Sequence, residues 1–154
     1  IIPIFTKEKI KLKIIGTGPI EHQLVNSEYI EYLGPIYGDK LFDIVSKAKF
    51  VIQPAKGFEN CPMTVVEAFS LGVPVIAANH SGFKELIEDG KTGYLIDFDK
   101  ISEKELRYII RSIDQNDSIN YKASIKKFYN KYLTMDVHIK SILEIYKSNI
   151  NLDI

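Results

Sequence analysis

The sequence predicts an α/β fold, a parallel sheet flanked by helices, and three observations carry that expectation. Short β-rich apolar runs alternate with stretches of helical period, Gly or Pro marks most of the joins, and each loop leaving a strand-like run contains glycine. With 154 residues and 17.6 kDa the chain is the size of one domain, so a single domain over 1–154 is expected and a complete two-domain enzyme is not.

The elements follow in order. The start, Ile1-Ile2-Pro3-Ile4-Phe5, is apolar but meets Lys7, Glu8 and Lys9 at once. It has neither the basic leader nor the small-residue cleavage site of a signal peptide, and it reads as a cut inside a longer protein. Strands are expected at 12–15, 29–33, 50–53, 73–77 and 94–96, where β-branched and aromatic residues cluster. Helices are expected at 39–47, 62–71, 83–88, 102–113, 119–132 and 135–148, the last three in a charged, Asn/Lys/Tyr-rich tail. The helix at 62–71 has both ends marked: Asn60 can cap it, Pro62 suits its first turn, and Gly72 suits the residue just past its end. Linkers, internal repeats and low-complexity tracts are missing from the sequence.

Composition narrows the function. Hydrophobic residues make up 45% and charged residues 26%, which disfavours disorder. Twenty Lys+Arg balance twenty Asp+Glu, so no overall field draws the chain to nucleic acid, and no nucleic-acid partner is expected. One cysteine, Cys61, makes neither an internal disulfide nor a thiolate cluster, so no metal is expected and the compartment reads as reducing, hence cytoplasmic. No apolar run is long enough to span a bilayer.

In such sheets ligands bind where loops leave the carboxyl ends of the strands. Those loops are Gly16-Thr17-Gly18, 34–38, 54–61 and 79–82. The third leads into Gly57-Phe58-Glu59-Asn60-Cys61-Pro62-Met63-Thr64-Val65-Val66-Glu67-Ala68, with two carboxylates eight positions apart. A carboxylate accepts two hydrogen bonds at once and matches a vicinal diol such as a ribose. Free amides at Met63 and Thr64, at a helix start, suit a diphosphate. Spacing alone does not separate this reading from two solvated glutamates. The other features have bland readings beside sharper ones. Gly16-x-Gly18 lacks the third glycine of a dinucleotide loop. His80 either donates to a ligand oxygen or is merely exposed. Lys56 either supplies charge near a diphosphate or is a solvated loop lysine. Glu85 reads as a helix-surface residue, and Phe58 and Cys61 as packing residues. Tyr121, Phe128, Tyr129 and Tyr132 read as a buried helix face with lysines on the wet side.

The 59–67 segment closely resembles the E-x7-E signature of the retaining glycosyltransferases of family 4, whose C-terminal GT-B half is also called glycosyltransferase group 1. Lys11-Leu12-Lys13-Ile14-Ile15-Gly16-Thr17-Gly18-Pro19 is similar to the family's strand ending in Gly-x-Gly-Pro, and Tyr32-Leu33-Gly34 to its Phe-x-Gly element. Lys47-Ala48-Lys49-Phe50-Val51-Ile52-Gln53-Pro54-Ala55 resembles the segment that precedes the signature. Glu67-Ala68-Phe69-Ser70-Leu71-Gly72-Val73-Pro74-Val75-Ile76-Ala77 resembles the family's Glu-Ala-x-x-x-Gly-x-Pro-Val-Ile-Ala, and 81–95 its Gly-Gly-x-x-Glu…Asp-Gly-x-x-Gly-x-Leu tail. The resemblance covers roughly residues 11–100 in order.

The resemblance implies a Rossmann-like domain, the C-terminal half of a GT-B fold truncated at its N-terminus. It implies transfer of a hexose-type sugar from a nucleotide diphosphate sugar, a substrate rather than a cofactor, to a glycan, lipid or protein. Glu59, the catalytic candidate, would contact the transferred sugar, and Glu67 the ribose hydroxyls. Backbone amides around Cys61, Pro62, Met63 and Thr64 would hold the diphosphate, Pro62 itself offering no N–H; Gly16, Gly18, Lys56 and His80 are donor-site candidates from the reading of the residues rather than from the resemblance. There are three departures: Pro62 stands where many members have glycine, Ser81 replaces the first glycine of the Gly-Gly pair, and the Gly-Arg…Lys element of the first strand and helix falls before Ile1. Only the end of that helix is expected, at 1–5. The implied partners are the nucleotide sugar and an upstream Rossmann-like domain, with peripheral membrane association of the full-length enzyme left open. A nucleotide-binding module without transferase activity and a sugar-nucleotide epimerase half-domain are the alternatives.

Overall fold

The computed structural model describes residues 1–115 and 119–149. The chain runs α1 (Ile2–Glu8), β1 (Leu12–Ile15), β2 (Ile30–Gly34), α2 (Gly38–Ser46), β3 (Val51–Gln53), α3 (Met63–Ser70), β4 (Val75–Ala78), α4 (Phe83–Leu86), β5 (Gly93–Ile96), α5 (Glu103–Gln115), α6 (Ile119–Tyr132) and α7 (Met135–Asn149). Every expected strand and helix is present, β1 and α6 with the expected bounds and the others with ends displaced by at most three residues. A short 3-10 turn at Glu21–Gln23 was not foreseen, and the first helix extends to Glu8 rather than ending at Phe5.

All strand pairs are parallel, as expected, but the strands form two sheets rather than one. β1 pairs with β2, Leu12 opposite Ile30, while β3-β4-β5 form the second sheet, with Val75 opposite both Val51 and Gly93. Among the described residues no strand lies between β1 and β3. Their facing edges border a cavity of about 640 Å³ walled by Leu12 and Ile15 on one side and Val51 and Gln53 on the other, with Ile44 and Thr64 from α2 and α3.

β4 is the centre of the structure. All four of its residues are buried, as expected of a parallel strand covered on both faces. Its alternation feeds two cores. Val75 and Ala77 join Val65, Phe69, Phe83 and Ile125 on the side of α3, α4 and α6, while Ile76 joins Phe5, Ile30, Ile96 and Ile110 on the side of α1 and α5. α1 is further clamped to α5, since the Glu8 carboxylate, withdrawn from solvent, pairs with both Arg107 and Arg111. α5 begins with a capping box: the Ser102 amide donates to Glu105 Oε2 at 3.0 Å and the Glu105 amide to Ser102 Oγ at 3.2 Å.

α3 ends as expected but starts differently. Gly72 adopts φ +74°, its amide donates to Phe69 O and that of Val73 to Ala68 O, the paired bonds of a Schellman ending. At the other end Pro62 is the capping residue itself, with ψ 99°, and helix begins at Met63. Asn60 makes no cap, because the extended Pro62 places it two residues outside the first turn.

Three packing expectations are corrected. Phe58 is 91% exposed and Cys61 is exposed, because the segment around them runs over the surface. On α6, Tyr121 and Ile125 are buried and Phe128 meets Phe69 edge-on, yet Tyr132 is half in solvent at the end of the helix, with Lys131 over its ring. α7 carries a row of exposed apolar residues, Met135, Ile139, Leu143 and Tyr146 among them.

Candidate functional site

The site is built on the loops that leave β3 and β4. From Pro54 the chain forms a surface strap that ends at Pro62, and α3 follows without a side-chain cap. Proline has no N–H, and its carbonyl accepts from Val65 at 2.9 Å. The amides of Met63 and Thr64 have no acceptor among the described residues, so they point partial positive charge outward from an eight-residue helix. Thr64 lies at the mouth of the cavity between the sheets, beside the last residues of β1 and β3.

Glu67 sits in the second turn of α3 and Glu59 in the strap that precedes it. Both are half-buried, and neither carboxylate makes a hydrogen bond or ion pair among the described residues. The other half-buried carboxylate, Glu8, is engaged by two arginines, and Glu21 and Glu103 on the surface are held by three donors and by Lys7, whereas Asp39 and Glu85, which also lack partners among the described residues, are exposed. A half-buried carboxylate before a helix start with free donors, and a second in that helix's second turn, are groups suited to a ligand carrying both hydroxyls and negative charge, although of this segment only Thr64 lines the cavity between the sheets.

The Glu59 backbone is fixed from the β4 side. Its amide donates to Ser81 Oγ at 3.2 Å and its carbonyl accepts from the Gly82 amide at 2.8 Å. That approach requires glycine, since a Cβ at position 82 would lie 2.1 Å from Asn60 O. His80 bridges the same two loops, one ring nitrogen 2.9 Å from Ser81 Oγ and the other 2.9 Å from Ala55 O. Both of its nitrogens are therefore used within the protein. Lys56 lies far out on the strap and reaches Asp99, beyond β5, at 3.2 Å, with both side chains largely in solvent.

The Gly16–Gly18 loop sits on the other sheet and is joined to the strap by no hydrogen bond among the described residues. It is held by two residues that sequence reasoning did not single out as functional. Tyr32 OH lies 3.0 Å from Gly16 O and 3.1 Å from Glu21, and Glu21 also accepts from Thr17 and the Gly18 amide. The Thr17, Tyr32 and Gly18 hydrogen bonds hold the Glu21 carboxyl below its ordinary value, while burial, with Glu21 beside it, pushes the Tyr32 hydroxyl up. An acidic residue three positions after a glycine at a helix-like start was the available signal. Among the described residues no group of three His, Cys, Asp or Glu side chains is arranged to hold a metal, and no helix is long and apolar enough to cross a membrane.

Comparison with known proteins places this geometry in context. Residues 1–114 match the family described as Glycosyl transferases group 1. Among curated proteins, the chain is 39% identical over 82 residues to a sucrose synthase of Denitrovibrio acetiphilus, covering 51% of this chain and 10% of that one. It is 29% identical over 152 residues to a sucrose synthase of Melioribacter roseus, covering 92% and 18%. Among solved structures, Anabaena Alr3699/HepE in complex with UDP superposes with a TM-score of 0.74 at 18% identity, covering 95% of this chain and 44% of that one. The chain thus spans a fifth or less of those two curated relatives and under half of the structural one.

Proposed function

Since the chain belongs to the group 1 glycosyl transferases, we propose that it is the donor-binding domain of a retaining enzyme that moves a hexose-type sugar from a nucleotide diphosphate sugar to a glycan, lipid or protein acceptor. The observation that carries this is the pair of unpartnered, half-buried carboxylates, Glu59 and Glu67, flanking the uncapped start of α3. In this assignment Glu67 accepts from the two ribose hydroxyls and Glu59 from the hydroxyls of the sugar. The Met63 and Thr64 amides face the diphosphate, with Cys61 and Pro62 shaping the backbone beneath it. As the sugar leaves, negative charge accumulates on the departing diphosphate. Amides already aimed at it stabilise that charge without reorganising.

The open channel between β1 and β3 supports a further part of the assignment. Among the described residues each bordering strand offers an unpaired edge, and α1 feeds directly into β1, as the helix of a β-α-β unit would. A parallel strand ahead of α1 would fill the channel, join the two sheets into one, and end beside Thr64. The Gly-Arg…Lys element expected from the family resemblance would then bring its two cations to the diphosphate, and an upstream domain would supply the acceptor site.

Calorimetric titration of the chain with UDP and GDP and their glucose conjugates tests the reading. UDP, the nucleotide in the HepE structure, is the first choice. Glu67→Ala is expected to weaken nucleotide binding by about tenfold, the loss of hydrogen bonds to a charged acceptor. Absence of binding by every nucleotide contradicts it. A regulatory nucleotide-binding module would share this site; coding sequence upstream that lacks a Rossmann-like half ending in Gly-Arg…Lys would favour it.

A further inference from the structure

Ser81, in the loop after β4, stands where the family pattern that this chain resembles has the first glycine of a pair, and its backbone adopts a conformation that glycine favours. Ser81 occupies the left-handed region at φ +47°, one of two non-glycine residues to do so among those described. Glycine would adopt that conformation freely, so serine is strained there and its side chain must repay the strain. Its hydroxyl is used twice: Oγ lies 3.2 Å from the Glu59 amide and 2.9 Å from His80 Nδ1.

The polarity of this chain of bonds is determined from both ends. A backbone amide only donates, so Ser81 Oγ accepts from Glu59. A carbonyl only accepts, so His80 Nε2 carries the hydrogen donated to Ala55 O at 2.9 Å. In the neutral ring Nδ1 is then the acceptor, and the Ser81 hydroxyl donates to it. The imidazole is also held by packing, edge-on to the buried Phe83 at 5.9 Å and 6.2 Å from Phe58 on the strap. One ring therefore touches the strap at Ala55 and Phe58, the β4 loop at Ser81, and the core at Phe83.

We propose that His80, acting through Ser81, is a positioning residue for Glu59: it clamps the strap at Ala55 and at Glu59 to the loop after β4 and so sets where the Glu59 carboxylate stands. Glu67 is carried by α3 and does not depend on this clamp. His80 therefore governs recognition of the part of the ligand that meets Glu59 and leaves the part that meets Glu67 to the helix. With the donor assignment above, on which this step rests, those parts are the sugar and the nucleotide.

Two measurements test it. Long-range 1H–15N spectra of the neutral imidazole in the wild-type chain are expected to show a single tautomer with the hydrogen on Nε2. A hydrogen on Nδ1, or an average of the two tautomers, overturns the clamp whether or not any ligand binds. Titrations of wild type, His80→Ala and His80→Gln with UDP and UDP-glucose then read the functional part. His80→Ala is expected to lose about tenfold more affinity for UDP-glucose than for UDP, on the scale of one hydrogen bond to a charged group, with His80→Gln recovering part of that loss through its bond to Ala55. Equal losses for both ligands, or none for either, overturn the positioning role. Failure of wild type to bind either ligand refutes the donor assignment and leaves the tautomer measurement to decide the clamp.

Discussion

Gly82→Ala isolates the contact between the strap and the loop after β4. Gly82 has φ −59° and ψ −17°, which alanine adopts without strain, so the effect is steric. The added Cβ would lie 2.1 Å from Asn60 O and 2.7 Å from Glu59 O, so the strap must retreat by roughly 1 Å to restore van der Waals separation. Overpacking of this kind costs about 1–3 kcal/mol. Loss of the bond from the Gly82 amide to Glu59 O adds about 0.5–1.5 kcal/mol. Together they predict about 1.5–4.5 kcal/mol of destabilisation and a Tm lowered by about 3–18 °C. Urea unfolding with an unchanged m-value, paired with thermal melts, reads the stability, and UDP-glucose titration reads the displacement of Glu59. Gly57→Ala is the control on the same strap, where no atom lies within 4 Å of the new Cβ and a change below about 0.5 kcal/mol is expected. If Gly82→Ala matches the control in both assays, the close approach of strap and loop is not what fixes Glu59.

Other consequences follow from the same geometry. Phe69 is fully buried on α3 and meets Phe128 of α6 edge-on at 6.0 Å, so Phe69→Ala is expected to cost about 3–5 kcal/mol in urea unfolding. A cost below about 1 kcal/mol would mean that α6 does not seal that core. Glu8 adds a pH dependence. Burial alone would raise its carboxyl, but hydrogen bonds and charge from Arg111 and Arg107 outweigh burial and hold it below the ordinary value. A carboxyl lowered by folding stabilises the protein above the ordinary glutamate pKa, and that stability is lost as pH falls through the depressed value. Glu8→Gln is therefore expected to be less stable than wild type at pH 7, with the gap closing on acidification. A gap that does not vary with pH refutes the linkage.

Much of the fold was legible because its determinants are local. Alternating apolar runs placed the five strands, and Gly72 marked the end of α3 because only a residue at ease with positive φ completes that turn. The split of the sheet was not legible, since pairing between β1 and β3 depends on what stands between them and no periodicity within either strand records it. The start of α3 was misplaced because the first-turn preference of Pro62 is a tendency, and here extended ψ makes it the cap. At the candidate site, the glutamate pair is singled out by its spacing only together with the family resemblance of the segments around it. The His80 clamp escaped because it joins residues 55, 59, 80 and 81 through tertiary contacts, with no fixed interval to reveal it. Residue type alone reads Phe58 and Cys61 as packing residues, and the exposed path of the strap overrides that preference.

The most direct measurement is a crystal structure of the chain with UDP. The two ribose hydroxyls are expected within hydrogen-bonding distance of the Glu67 carboxylate, with the β-phosphate against the Met63 and Thr64 amides and directed toward Glu59. A nucleotide seated elsewhere, for example in the cleft of about 840 Å³ between the end of β5 and α5, with Glu59 and Glu67 both in open solvent, would contradict the assignment.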